Sequence, residues 1–222
     1  MLPLVLCSCS PSPNRISPSE AKAQSEDPDH NVWTGEDLKA LLLPVNVLPK
    51  KYKPNKDLTA DSGTHFGPTG QKPISTDCTL LQRTSWVDAA GTGLASWAQA
   101  DFRSSSQEEY SEEIDSFRGT DAWTAMTRLK KYAESCTAFK DSYDGTTATY
   151  KAITKTVPGL GDESFETVMT TAVYDGGMTT VVSRVGHDIV FSSYDVRSSD
   201  LGAPAVGFAR KLVANVKAKT GN

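Results

Sequence analysis

The chain has no excess of basic residues, few histidines, few cysteines and no long apolar run, and each shortage excludes something. Lys and Arg number 23 against 27 Asp and Glu, for a formal net charge of -4. A nucleic-acid partner would call for a basic footprint, which is missing. No stretch approaches the ~20 apolar residues of a membrane-spanning helix. The three histidines are His30, His65 and His187, and none stands at zinc-ligand spacing from a cysteine. There is no Gly-x-Ser-x-Gly elbow, His-Glu-x-x-His pair or phosphate-binding glycine loop. Ser164 follows Gly161-Asp162-Glu163 but lacks the elbow's second glycine. Asp162 and Glu163 are adjacent, so in a strand they point to opposite faces and cannot act as a carboxylate pair. The sequence therefore predicts no catalytic residue, no cofactor and no metal. An enzyme, for which a hydrolase is the remaining option, has only His65 and His187 as residues that could meet in a folded site.

What is present begins with length. A chain of 222 residues, 38% hydrophobic, suffices for one globular domain with a core, plus a tail. Leu2 to Leu6 is apolar, and Leu6-Cys7-Ser8-Cys9 has the form of a bacterial lipoprotein signal box. Cys9 is the expected lipidation site, because Leu6 is too large for the position before a modified cysteine. The segment 1-9 lacks a basic start and its apolar run is short for a signal peptide, which a start assigned too far downstream would explain. The alternative is an N-terminus with two incidental cysteines. Residues 10-32 are rich in Ser, Pro, Asn, Asp, Glu and Gln and cannot bury enough surface to offset their chain entropy. They read as a disordered tether. An apolar start followed by such a tether suits a domain held at the extracytoplasmic face of the cell membrane by acyl chains such as palmitate.

The folded domain is expected over 33-222. Thr34-Gly35-Glu36-Asp37 has capping-box form, with Leu38, Leu41 and Leu42 at helical spacing and Pro44 as the stop. Val45 to Ile74, punctuated by Pro and Gly, reads as a long irregular segment. Leu94-Phe102 and Glu109-Phe117 read as strands. The second carries Glu108, Glu109, Glu112, Glu113 and Asp115 in or beside it, which are expected on a solvated face guarding an edge; a calcium site would need loop spacing that is absent. From Thr120 to Cys136, Ala122, Met126, Leu129, Ala133 and Cys136 share one helical face. Thr146-Thr156, Phe165-Tyr174, Met178-Val185 and His187-Val196 are rich in β-formers, separated by turns at Pro158-Gly159-Leu160-Gly161, Asp175-Gly176-Gly177 and Gly186-His187. A closing helix is expected from about Asp200. The pattern predicts an α+β fold with an antiparallel sheet. Cys78 and Cys136, an even pair in an exported chain, are most simply a disulfide. Closing a loop of about 58 residues would stabilise the fold by roughly 4 kcal/mol in the chain-entropy model.

The signal box and tether, Leu42 to Leu48-Pro49, the paired Cys78 and Cys136, the helix ending in cysteine, and Gly159-Leu-Gly-Asp-Glu-Ser164 together resemble actinobacterial lipoproteins. More narrowly, the chain resembles free-standing relatives of the extracellular sensor domain of PknH-type serine/threonine kinases. The resemblance implies an α+β fold, an extracytoplasmic location and a ligand cleft. It does not carry over a kinase, and the family's second disulfide has no cysteines here. Three functions follow as expectations: a lipid-anchored, non-catalytic ligand-binding or sensor-like domain; a structural or partner-binding envelope lipoprotein; and a hydrolase. The partners expected are the membrane, through the lipid, and a small molecule or envelope protein. A ligand site is expected between the sheet and the long loop, with Tyr174, Arg184, His187 and Tyr194 at its polar edge. Trp33, Trp86, Trp97 and Trp123 serve either a pocket or the core.

Overall fold

Alternating residue types generate one large sheet. The computed structural model of the chain describes residues 29-143, 145-173 and 175-220; Cys9 and most of the segment 10-32, expected as a tether, lie outside them. Among the described residues the strands are β1 (Tyr52–Pro54), β2 (Ala60–Asp61), β3 (Leu94–Ser104), β4 (Glu109–Phe117), β5 (Ala138–Tyr143), β6 (Thr146–Thr156), β7 (Glu163–Thr171), β8 (Gly177–Val185) and β9 (Asp188–Val196). The helices are α1 (Gly35–Lys39), α2 (Asp121–Ser135) and α3 (Ala205–Thr220). None is long and apolar enough to cross a membrane. Strand order is β1-β3-β4-β9-β8-β7-β6-β5, every pair antiparallel, with β2 also on β3. This is the expected α+β architecture.

Because side chains alternate along a strand, the sheet has two distinct faces. On one, Ala98, Ala100, Phe102, Tyr110, Ile114, Val190 and Tyr194 pack with α3 through Phe208, Leu212 and Val216, and with Leu38 of α1. On the other, Trp86 lies against Tyr132, Phe165 and Phe191 at ring separations of 5.8, 5.9 and 5.5 Å. Met126 and Leu129 of α2 and Phe117 of β4 close that second core. The helical stripe from Ala122 to Cys136 is buried as its spacing predicts. Thr34 caps α1, its hydroxyl accepting from the Asp37 amide at 3.2 Å.

Several expectations are corrected. The acidic strand β4 is interior, flanked by β3 and β9, so its carboxyls are not a solvated edge: Glu112 and Asp115 are fully buried, and Glu113 is 7% exposed. The edge beyond β3 is covered instead by β1 and β2, which occupy part of the stretch expected to be irregular. Pro54 is tolerated there because an edge strand needs few donors. β5 forms the opposite edge and was not expected. α3 starts at Ala205 rather than near Asp200, since Leu201 and Gly202 take positive φ and the Pro204 carbonyl accepts from the amides of both Gly207 and Phe208.

The turn before β7 follows its sequence signals closely. Asp162 Oδ2 accepts from Arg184 Nη1 at 2.9 Å and from the Gly186 amide at 2.8 Å. Gly161 has φ +63°, and a Cβ there would stand 2.5 Å from the Arg184 carbonyl oxygen. Both the handedness and the close approach require glycine.

Candidate ligand cleft

Arg184, His187 and Tyr194, the expected site residues that are described, do not assemble into one place. Tyr174 lies outside the described residues. Arg184 is buried, and its guanidinium stands 4.5 Å from the Trp123 ring, on the α2 side at the end of the sheet. His187, at the adjoining hairpin tip, places Nδ1 2.7 Å from the Gly119 carbonyl oxygen. Tyr194 is on the opposite face, where its hydroxyl accepts from the Tyr52 hydroxyl at 3.0 Å inside the α3 core. Among the described residues, no hydrogen bond links His65 to His187.

The α2 side of the sheet instead carries an open cleft over β3, β4 and β9. Residues 78-93 cross this face without forming a strand. The Cys78–Cys136 disulfide fixes their start to the end of α2, with Cα atoms 5.5 Å apart. The Tyr132 hydroxyl donates to the Asp77 carbonyl at 2.6 Å, Arg128 Nη1 donates to the Ala90 carbonyl at 3.1 Å, and Trp86 is sunk in the core. Between these fixed points, residues 82-88 form a wall standing above the sheet. One cavity, of about 480 Å³, is lined by Arg83, Ser85, Asp88, Trp97, Gln99 and Glu113 among others, with Lys72 from the long loop at its rim. A second, of about 230 Å³, shares Arg83 and Thr84 and reaches Glu109, Ser193 and Asp195. The larger one lies in the usual range for small-molecule sites.

The floor is acidic for a reason written in the pairing. Trp97 faces Asp115 across the strands, Gln99 faces Glu113, Asp101 faces Ser111 and Arg103 faces Glu109. All eight therefore project to the same side. Burial pushes the carboxyl of Asp101 up to about 7 and that of Asp195 to about 6. It also raises Glu113, although the neighbouring Asp115 and Ser85 side chains favour its charged form. Asp115 is held well above the usual carboxylate range, by burial first and then by repulsion from Glu113, Asp88 and Asp188. Neither the Asp101 nor the Asp115 carboxyl makes a well-formed hydrogen bond among the described residues, although Asn55 and Glu109 stand beside Asp101 and Glu113 stands beside Asp115. Protonation resolves part of this cost, because a neutral acid is a donor and no longer a buried charge.

The lining of the two cavities is largely polar and charged. No His or Cys lines either cavity, so Ser85 and Thr84 have no imidazole beside them to act as a base. No group of three or more His, Cys, Asp or Glu among the described residues is arranged to hold a metal ion.

No family model matches this chain, and no curated protein matches it. Among solved structures it is similar to the crystal structure of the extracellular domain of PknH from Mycobacterium tuberculosis, at a TM-score of 0.61 and 17% sequence identity. The match covers 85% of this chain and 99% of that one. At that identity the likeness carries the fold: this chain is built on the same α+β architecture as that extracellular domain.

Proposed function

We propose that this chain is an extracytoplasmic, non-catalytic ligand-binding domain of sensor-like kind, tethered to the cell membrane by a lipid on Cys9. The observation that carries the reading is Glu113, a carboxyl buried in the middle of the sheet yet lining an open cavity whose far wall is stapled in place. A fold has no structural need to bury an acid beneath a cleft, and such groups concentrate at binding sites. The disulfide supports an oxidising compartment, and the shared fold with an extracellular domain agrees with it. Cleavage before Cys9, acyl chains on that residue and two thiols that alkylate only after reduction are the expected result of intact-mass measurement on protein from native membranes. An unmodified N-terminus with free thiols would overturn the location. For the cleft, a thermal-shift screen should yield ligands that stabilise the wild type but not Thr84→Trp, which fills the space between the two cavities.

A second reading, a partner-binding envelope lipoprotein, is favoured by Ile153. This residue is 69% exposed on β6 and lines two shallow apolar grooves, of about 570 and 330 Å³. By contrast, the exposed apolar residues of the long loop, Val45, Leu58 and Ile74, lie in separate parts of it. Loss of cross-linking to an envelope protein on Ile153→Asp would favour this reading.

A further inference from the structure

The cavity of about 480 Å³ is lined by two charged residues that form no ion pair among the described residues. Four charged residues line it: Lys72, Arg83, Asp88 and Glu113. Lys72 Nζ and Asp88 Oδ1 neutralise each other at 2.9 Å in an exposed pair. Arg83, exposed on the wall, and Glu113, buried on the floor, form no ion pair with each other or with any other described residue. The wall brings them into one cavity, since Ser85, two residues from Arg83, lines it beside Glu113 and favours that carboxyl's charged form. Leu94, Val87 and the half-buried indole of Trp97 supply the cavity's apolar surface.

The two loose charges have opposite sign, which restricts what can satisfy both. A cation alone would pair Glu113 and leave Arg83 idle. An anion alone would pair Arg83 while covering the Glu113 carboxyl with no counter-charge, and a buried unpaired charge is costly. A guanidinium fork matches a planar carboxylate with two parallel hydrogen bonds, and an ammonium supplies the charge that Glu113 lacks. We propose that the cavity binds a small zwitterion of the α-amino-acid kind. Its carboxylate lies on Arg83, its protonated amine on Glu113, and its apolar side chain against Trp97 and Leu94. This rests on the reading of the cleft as a ligand site, and it names the class of ligand.

The test is isothermal titration of the full chain, disulfide intact, with L-leucine and L-phenylalanine, alongside N-acetyl-L-leucine and L-leucinamide. Saturable binding of a free amino acid is expected, weakened about tenfold or more by capping either end. Arg83→Gln should erase the penalty for amidation, and Glu113→Gln the penalty for acetylation, with unchanged circular dichroism showing that both variants fold. Equal binding of free and capped forms, or no binding of either amino acid at millimolar concentration, would overturn the proposal. A parallel thermal-shift screen of other polar small molecules separates the two levels. A hit of another class that Thr84→Trp abolishes removes the zwitterion and keeps the ligand site, whereas the absence of any hit sensitive to Thr84→Trp removes both.

Discussion

The two faces of the sheet bury acids in opposite ways. On the α3 face, Glu112 is fully buried with both oxygens engaged: Oε1 accepts from the Leu43 amide at 2.6 Å and Oε2 from the Tyr110 hydroxyl at 2.8 Å. It ties the segment after α1 to the middle of the sheet, a structural task with no opening to solvent. On the α2 face, the carboxyls of Asp101 and Asp115 make no well-formed hydrogen bond among the described residues and lie beside other carboxyls, and Glu113 looks into a cavity. A satisfied buried acid holds the fold together, whereas an unsatisfied one costs stability. The disulfide belongs to the second face as well, since it fixes the wall without which the acids would lie under bulk solvent.

The comparison can be broken most severely at Trp86, which separates the dry half of the α2 face from its wet half. Trp86→Ala should cost about 3–5 kcal/mol in urea unfolding, the range for deleting a large buried aromatic. A loss below about 1 kcal/mol would mean that the second core is not centred there. Next comes the staple: replacing Cys78 and Cys136 by Ser should cost about 2–4 kcal/mol. Hydrogen exchange should then rise in residues 78-93 and leave the α3 face protected.

The neighbouring acids give the sharpest contrast. Glu112→Ala orphans the Leu43 amide and the Tyr110 hydroxyl and should cost about 1–3 kcal/mol. Glu113→Gln removes a buried carboxyl that has no counter-charge, and should leave stability unchanged or raise it. If both variants lose stability alike, the distinction between the faces fails.

The smallest effect is the pH dependence. Burial raises Glu112 to about 8, Asp188 to about 7, and Asp101 and Asp195 on the cleft side to about 7 and 6. For each, the folded state holds a proton that the unfolded chain releases near pH 4. Their stabilising contribution is therefore complete below that pH and is lost as the pH rises through 6 to 8. Glu108 works in the other sense: its hydrogen bond from Lys51 lowers its pKa, so it stabilises above the unfolded value and ceases to as pH falls through the folded one. Urea midpoints should decline from about pH 5 to pH 8, and Asp101→Asn should flatten the decline. A midpoint that rises over that interval would contradict the burial of these groups as neutral acids.

The sequence makes some of this legible and hides the rest for identifiable reasons. β6, β8 and β9 announce themselves by their β-branched and aromatic residues, and α2 by the stripe from Ala122 to Cys136, because both signals are local. The disulfide follows from counting cysteines. The burial of β4 is hidden because five acids within eight residues look solvated, and only pairing with β9, some eighty residues away, places them inside. One sign was available: Tyr110 and Ile114 alternate with Ser111, Glu113 and Asp115, which separates an apolar face from a polar one. β1 and β2 are too short, and too close to prolines, to register as strands. The cleft was expected between the sheet and the long loop, but only Lys72 of that loop lines it. Its main wall, Arg83 to Asp88, carries no motif and acquires its position from Trp86 and the disulfide. Tyr194 and Arg184 are expected at one polar edge, yet strand alternation sends them to opposite faces.

The most direct test of a binding cleft on the α2 face is a two-dimensional amide NMR titration of the protein with a library of small polar molecules that includes free amino acids. The amides of Arg83, Ser85, Gln99 and Glu113 should move saturably with a bound compound, while those around Glu112 and Tyr110 stay in place. Shifts confined to Ile153 and its neighbours, or none at all, would contradict the account and leave the partner-binding reading of the outer sheet in its place.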